Sequence, residues 1–249
     1  MKEFNIYLVR HGQSQANVDE TIYKEIPDHS ISLTERGTEQ ALEAGKIFNS
    51  FIDGKKLHCY YSPYQRTLET MNLMLSSFND EQILSKVNDI KLREIEYGTF
   101  DGLTEKERQK LFPHEYALHK RQENFEGRYF TRLPNGESYA DVALRAALFI
   151  SDLKTRISSH MNSDNYNEDT NNVAIFSHCV WIRCFVTEIL SEHYSWSSKD
   201  GHMNNCSVRK ISISENKKSI NPFSEQSIIL NDKVYNVEDC GNIFDGYPM

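Results

Sequence analysis

The chain has 249 residues, 39% of them hydrophobic, and 36 acidic against 28 basic side chains give a formal net charge of −8. That apolar content is enough for one large core carrying an insertion, so a single domain over 1–249 is expected. An acidic chain of this kind lacks the broad positive surface that general nucleic-acid binding needs, and no apolar run approaches the length of a bilayer span.

Residues 4–9 (FNIYLV) are a short β-forming apolar run that ends abruptly in Arg10, His11, Gly12 and small polar residues, the pattern of a buried strand entering a polar loop. Thr34 can cap a helix whose face holds Ala41, Ala44, Gly45, Phe48, Phe51 and Ile52. His58 to Tyr61 reads as a second strand, followed by a helix with Ser62 as cap, Pro63 in its first position, and Leu68, Met71, Leu75 and Phe78 on one face. Residues 104–133 have mixed charge without strong periodicity and read as a lid-like insertion. Ser138 and Asp141 form an S-x-x-D capping box ahead of the stripe Val142, Ala146, Phe149, Ile150, Leu153 and Ile157. Residues 160–171 read as a polar loop, Val173 to Phe176 as a third strand, and about 180–190 as an apolar helix. Runs around Asn231-Asp232 suggest a terminal hairpin at about 226–237.

Recurring strand–loop–helix units point to a three-layer α/β/α sandwich with a mostly parallel central sheet and helices on both faces. In such sheets ligands sit at the carboxyl ends of the strands, so Arg10, His11, Arg66 and His178 are expected to converge there. Neutral imidazole is a nucleophile near neutral pH, guanidinium forks match phosphoryl oxygens, and a carboxylate can protonate a departing group. The set suits phosphoryl transfer through a phosphohistidine. The other seven histidines show no metal-ligand spacing, and the five cysteines (Cys59, Cys179, Cys184, Cys206, Cys240) show no disulfide rhythm, so reduced thiols and a cytoplasmic location are expected.

L-V-R-H-G-Q-S-Q-A-N (8–17) resembles the R-H-G-x-S-x-x-N signature of the histidine phosphatase superfamily, on its phosphoglycerate-mutase-like branch. The resemblance continues through S-L-T-E-R-G (32–37), Y-S-P-Y-Q-R-T-L-E-T (61–70), L-R-E-I-E-Y-G-T-F-D-G (92–102), P-N-G-E-S-Y-A-D-V (134–142) and F-S-H (176–178). It implies that His11 attacks phosphorus, that Arg10, Arg66 and His178 hold the phosphoryl oxygens, that Asn17 and Ser14 add hydrogen bonds, and that Glu94 is the general acid and base. It implies no metal and no cofactor. The family has glycine after its second histidine where this chain has Cys179, which bears on the pocket's geometry.

Mutases of that branch carry a longer arginine-rich segment after the L-x-E block. Here the insertion is about thirty residues without an R-R pair, which favours hydrolysis of a small phosphate ester. Its Lys120, Arg121, Arg128, Tyr129, Phe130 and Arg132 are candidates to contact the leaving group, Arg132 being the one assigned to substrate. A mutase-type transferase and a non-catalytic phosphate-binding module are the competing readings; oligomeric state is not set by the sequence.

Overall fold

Strand β1 (Glu3–Arg10) turns Phe4, Ile6 and Leu8 to one side and Tyr7 and Val9 to the other, the alternation of an extended chain buried on both faces. The computed structural model describes residues 3–161, 167–194, 203–215, 227–230 and 233–248. After β1 come α1 (Gln15–Val18), α2 (Glu35–Ile52), β2 (Leu57–Tyr61), α3 (Gln65–Leu75), β3 (Ile83–Asn88), α4 (Glu105–Leu111), α5 (Pro113–Glu126) and α6 (Tyr139–Met161). β4 (Asn172–Ser177), α7 (Cys179–Ile189), β5 (Val208–Glu215), β6 (Ser227–Leu230) and β7 (Lys233–Phe244) complete the order.

The sheet runs β3-β2-β4-β1-β5-β7-β6. β3, β2, β4 and β1 pair in parallel, whereas β5, β7 and β6 are joined antiparallel, so β5 and β6 alone oppose the common direction. One face is covered by α6 and α7 through Val142, Phe149, Leu153, Trp181 and Phe185. The other is covered by α2 and α3 through Ala41, Phe48, Met71 and Met74. This is a three-layer α/β/α sandwich with a mostly parallel sheet.

Local chemistry explains the helix starts. Thr34 Oγ1 accepts from Gly37 N (2.9 Å), and the Ser138–Asp141 box is closed by Ser138 N to Asp141 Oδ2 (2.9 Å) and Asp141 N to Ser138 Oγ (3.1 Å). The whole stripe from Val142 to Ile157 is buried. Two details differ from the sequence reading. Phe51 is 46% exposed rather than inside. Ser62 does not cap α3: its N–H extends the β2 ladder to Phe176 O (3.0 Å), its hydroxyl meets His178, and the helix begins at Gln65 after Tyr64.

The 104–133 insertion contains α4 and α5, opened by a Thr104 cap and by Pro113. Neither helix buries a residue, so no apolar stripe marks them in the sequence. β6 and β7 pair with Leu230 opposite Lys233; the Asn231-Asp232 turn lies outside the described residues, as does 162–166 of the expected 160–171 loop. Among the described residues no helix is long and apolar enough to cross a membrane.

Candidate active site

β2, β4 and β1 are neighbours with level carboxyl ends, Arg10 lying opposite Ser177 and Tyr61 opposite Phe176. The ladder continues past β1 through His11 N–H to Ser177 O (3.1 Å) and past β2 through Ser62. Three loops far apart in sequence thus leave the sheet side by side.

His11 is 5% exposed, and its Nδ1 lies 2.7 Å from Gly12 O. A carbonyl only accepts, so Nδ1 carries the hydrogen and Nε2 keeps a lone pair. Nε2 has no hydrogen bond among the described residues. Burial, then the charges of Arg66 and Arg10, push the His11 pKa well below the usual imidazole value, so the ring is neutral near neutral pH. Gly12 N donates to Thr70 Oγ1 (3.0 Å), which itself donates to Arg66 O (2.6 Å), tying the loop to α3. A Cβ on Gly12 would sit 2.8 Å from Gly37 O, which is why this position has no side chain.

The His178 ring is 5.3 Å from that of His11, edge to face. Its Nε2 meets Ser62 Oγ at 2.8 Å, and its buried Nδ1 has no partner among the described residues. Burial, then Arg66 and His11, lowers its pKa as well. Arg10 and Arg66 are both buried. Arg10 Nη1 donates to Met203 O, and burial lowers its pKa. Arg66 Nη1 donates to Asp28 O (2.8 Å) and Oδ1 (2.6 Å), and its guanidinium carbon stands 5.0 Å over the Tyr64 ring. Burial opposes the Arg66 charge, but Asp28 outweighs it and the pKa is raised.

Glu94 Oε1 accepts from Ile95 N (3.0 Å) and Oε2 from Val180 N (3.3 Å) in the first turn of α7. Burial raises its pKa and these two hydrogen bonds pull it back without cancelling the rise. Arg145 holds the adjoining main chain, donating from Nη1 to Lys91 O (2.8 Å) and Arg93 O (3.0 Å) and pairing with Glu137 at 2.9 Å. Glu137 also takes Arg93 at 2.8 Å.

Ser14 is buried at the start of α1, and its N–H donates to Asn17 Oδ1 (3.0 Å). Both therefore lie on the His11 loop. Arg132 is not brought to this cluster: its side chain is 71% exposed and clamps Asp141 through Nε (2.8 Å) and Nη2 (2.5 Å). The reason is the capping box, which fixes the Asp141 carboxylate within its reach. Cys179 opens α7 outside the positive-φ region, so the backbone there has no need of glycine, and burial raises its thiol pKa.

A cavity of about 250 Å³ lies beneath the insertion, its walls including Ile95, Tyr97, Arg108, Lys120, Arg128 and Tyr139. Ile95, on its wall, is the residue whose N–H donates to Glu94 Oε1; Glu94 and the two histidines are not themselves part of the lining. Lys120 pairs with Glu123 at 3.0 Å, and Arg108 Nε donates to Leu103 O at 2.8 Å. Arg128 stacks 5.5 Å over Tyr139 and has no ion pair among the described residues. Tyr129 and Phe130 instead pack on Tyr194, each at 5.1 Å.

Sequence reasoning missed Ser62, Tyr64 and Thr70 as site residues, although all three stand in the 61–70 block that was singled out. It also missed Asp28 and Asn205, for which no local pattern existed.

The chain belongs to the histidine phosphatase superfamily, branch 1, whose sequence profile matches residues 6–226. Phosphoglycerate mutase-like protein AT74 of Arabidopsis thaliana is 35% identical over 198 residues, 77% of this chain and 58% of that protein. The chain thus spans little more than half of that relative's length. Phosphoglycerate mutase-like protein AT74H of the same plant is 30% identical over 217 residues, 84% of this chain and 73% of its own. Fructose-2,6-bisphosphatase of Saccharomyces cerevisiae is 29% identical over 78% of this chain and 36% of its own.

The fold resembles the alpha-ribazole phosphatase from Shigella flexneri, with a TM-score of 0.67, 18% identity and 98% of each chain covered. It also resembles a mycobacterial glucosyl-3-phosphoglycerate phosphatase, with a TM-score of 0.64, 20% identity, and 85% of this chain and 91% of the other covered. The relatives and fold neighbours named here are phosphatases and mutase-like proteins.

Proposed function

We propose that the protein is a phosphatase that hydrolyses small phosphomonoesters through a phosphohistidine on His11, without a metal ion. One observation carries the reading: a buried, neutral imidazole whose Nδ1–H is committed to Gly12 O, leaving Nε2 as a lone-pair donor beside Arg10, Arg66 and His178.

In the first step the Nε2 lone pair forms a bond to phosphorus. The bond from phosphorus to the ester oxygen breaks, and that oxygen leaves with its electron pair and takes the proton of Glu94. In the second step water attacks phosphorus while the Glu94 carboxylate accepts its proton, and the P–N electrons return to Nε2. Arg10, Arg66, Asn17 and the Nδ1 side of His178 hold the equatorial oxygens, with the loop around Ser14 as their frame; fixed positive charge lowers the barrier because it needs no reorganisation. The cavity under the insertion receives the leaving group. Its walls mix Glu105, Glu123 and Glu137 with the cations, which suits release to water better than the all-positive grip of a mutase.

Incubation with a labelled phosphate ester in the presence of chelator should give acid-labile label on the wild-type protein, free phosphate as product, and no label on His11→Ala. Full turnover by His11→Ala would end the proposal. Label passing to a second acceptor alcohol in preference to water would favour the transferase reading instead.

A further inference from the structure

Residues 203–207 form the underside of the His11 loop. Met203 O accepts from Arg10, and Cys206 N donates to His11 O at 3.3 Å. Between them Asn205 is fully buried, and its Nδ2 donates to His11 O (3.1 Å) and to Asn17 Oδ1 (3.2 Å). The amide orientations are not interchangeable. Asn17 Oδ1 also receives Ser14 N–H, a backbone donor, so that atom must be the oxygen; Asn205 Nδ2 faces a backbone carbonyl, so it must be the nitrogen.

Asn17 therefore has its oxygen filled by two donors while its own NH₂ has no partner among the described residues. Asn205 in turn leaves its own Oδ1 buried without a partner. A buried unmade acceptor is destabilising, so stability alone would not select this residue here. Its main chain is fixed from behind by a two-way pairing with Tyr247, N to O at 2.9 Å and O from N at 2.8 Å. Tyr247 is anchored on α2, its hydroxyl donating to Glu43 Oε2 at 2.5 Å. Gly246 permits the approach: its φ is +73° and a Cβ would fall 2.4 Å from Asn205 O.

We propose that Asn205 is a positioning residue, whose amide hydrogens hold His11 O and Asn17 Oδ1 so that Asn17 presents N–H, and not C=O, to the phosphoryl oxygens. This rests on the reading of Asn17 as a phosphoryl contact. Asn205→Asp sets an oxygen against Asn17 Oδ1, so that repulsion replaces one of the two donors that hold the amide; Asn205→Ser keeps one hydroxyl donor but is too short to reach both acceptors.

The test is a double-mutant cycle with Asn17→Ala, read as the dissociation constant for inorganic phosphate and as kcat. Either Asn205 variant should weaken phosphate binding about tenfold or more in the native background, as loss of a hydrogen bond to a charged group does, and less than about threefold when Asn17 is already alanine. Equal losses in both backgrounds would overturn the proposal while leaving Asn17 as a ligand. No loss in Asn17→Ala alone would remove both assignments. Should the variants not fold, the unmodified protein still decides: saturation with phosphate must shift the Asn17 side-chain amide NMR signal, and an unmoved signal refutes the arrangement.

Discussion

In the proposed reaction Glu94 gives a proton in one half and takes it back in the other, and its surroundings serve the first demand. Burial moves its pKa above the ordinary carboxylate value, so the protonated form persists to higher pH and kcat/KM should fall only as pH rises through that raised value. In Glu94→Gln this alkaline limb should vanish, and alkyl phosphate hydrolysis should drop about 10²–10⁴-fold, with a much smaller loss for nitrophenyl phosphate, whose leaving group needs no proton. Identical losses on the two esters would take the acid role from Glu94. Most of the residues gathered at the candidate site were legible because each stands in a short recognisable block at a strand end: Arg10 and His11 after β1, Arg66 after β2, His178 after β4. Asp28 and Asn205 were not, since their value comes only from folded distance, the sequence separation being 38 for Asp28 and Arg66 and 194 for Asn205 and His11. Arg132 misled for the converse reason: a basic residue near the right block was nearer still to Asp141.

At the scale of elements, the proposed reading makes the insertion the place where substrates are told apart. α4 and α5 bury none of their residues, so they are held by polar contacts such as Lys24 to Glu107 (2.7 Å) and can vary without harm to the core. Arg128, a cation on the cavity wall with an aromatic neighbour and no carboxylate partner among the described residues, is the side chain best placed to meet a charged leaving group. Arg128→Ala should raise KM about tenfold for esters whose leaving group bears a carboxylate or second phosphate, and leave nitrophenyl phosphate kinetics nearly unchanged. A uniform change across both ester types would assign Arg128 to structure instead. Two strands escaped the sequence reading for physical reasons. β3 is an edge strand that alternates half-buried and exposed positions, and β5 carries Arg209 on a core-facing position, neutralised by Asp239. The α6 stripe, by contrast, was readable residue for residue.

Over the whole molecule, two neutral histidines buried in one core give the fold a pH dependence. Their folded pKa values lie well below the usual 6.5, so below that pH the unfolded chain binds protons that the folded one refuses. Their contribution is therefore complete above about pH 6.5 and declines as pH falls, by at most about 1.4 kcal/mol per pH unit for each histidine. Urea midpoints measured at pH 7.5, 6.5 and 5.5 should fall in that order, and less steeply in His11→Gln; a flat series would contradict the buried neutral state.

The place of β1 in the sheet has a consequence for biosynthesis. Its partners there are β4 and β5, residues 172–177 and 208–215, and Asn205, just ahead of β5, and Tyr247, beyond it, close beneath its loop. Synthesis runs from the amino to the carboxyl end, so His11 is made before either strand that flanks β1. A growing chain therefore exposes His11 before β4, β5 and Tyr247 are there to enclose it, and the candidate site closes only once they have been made.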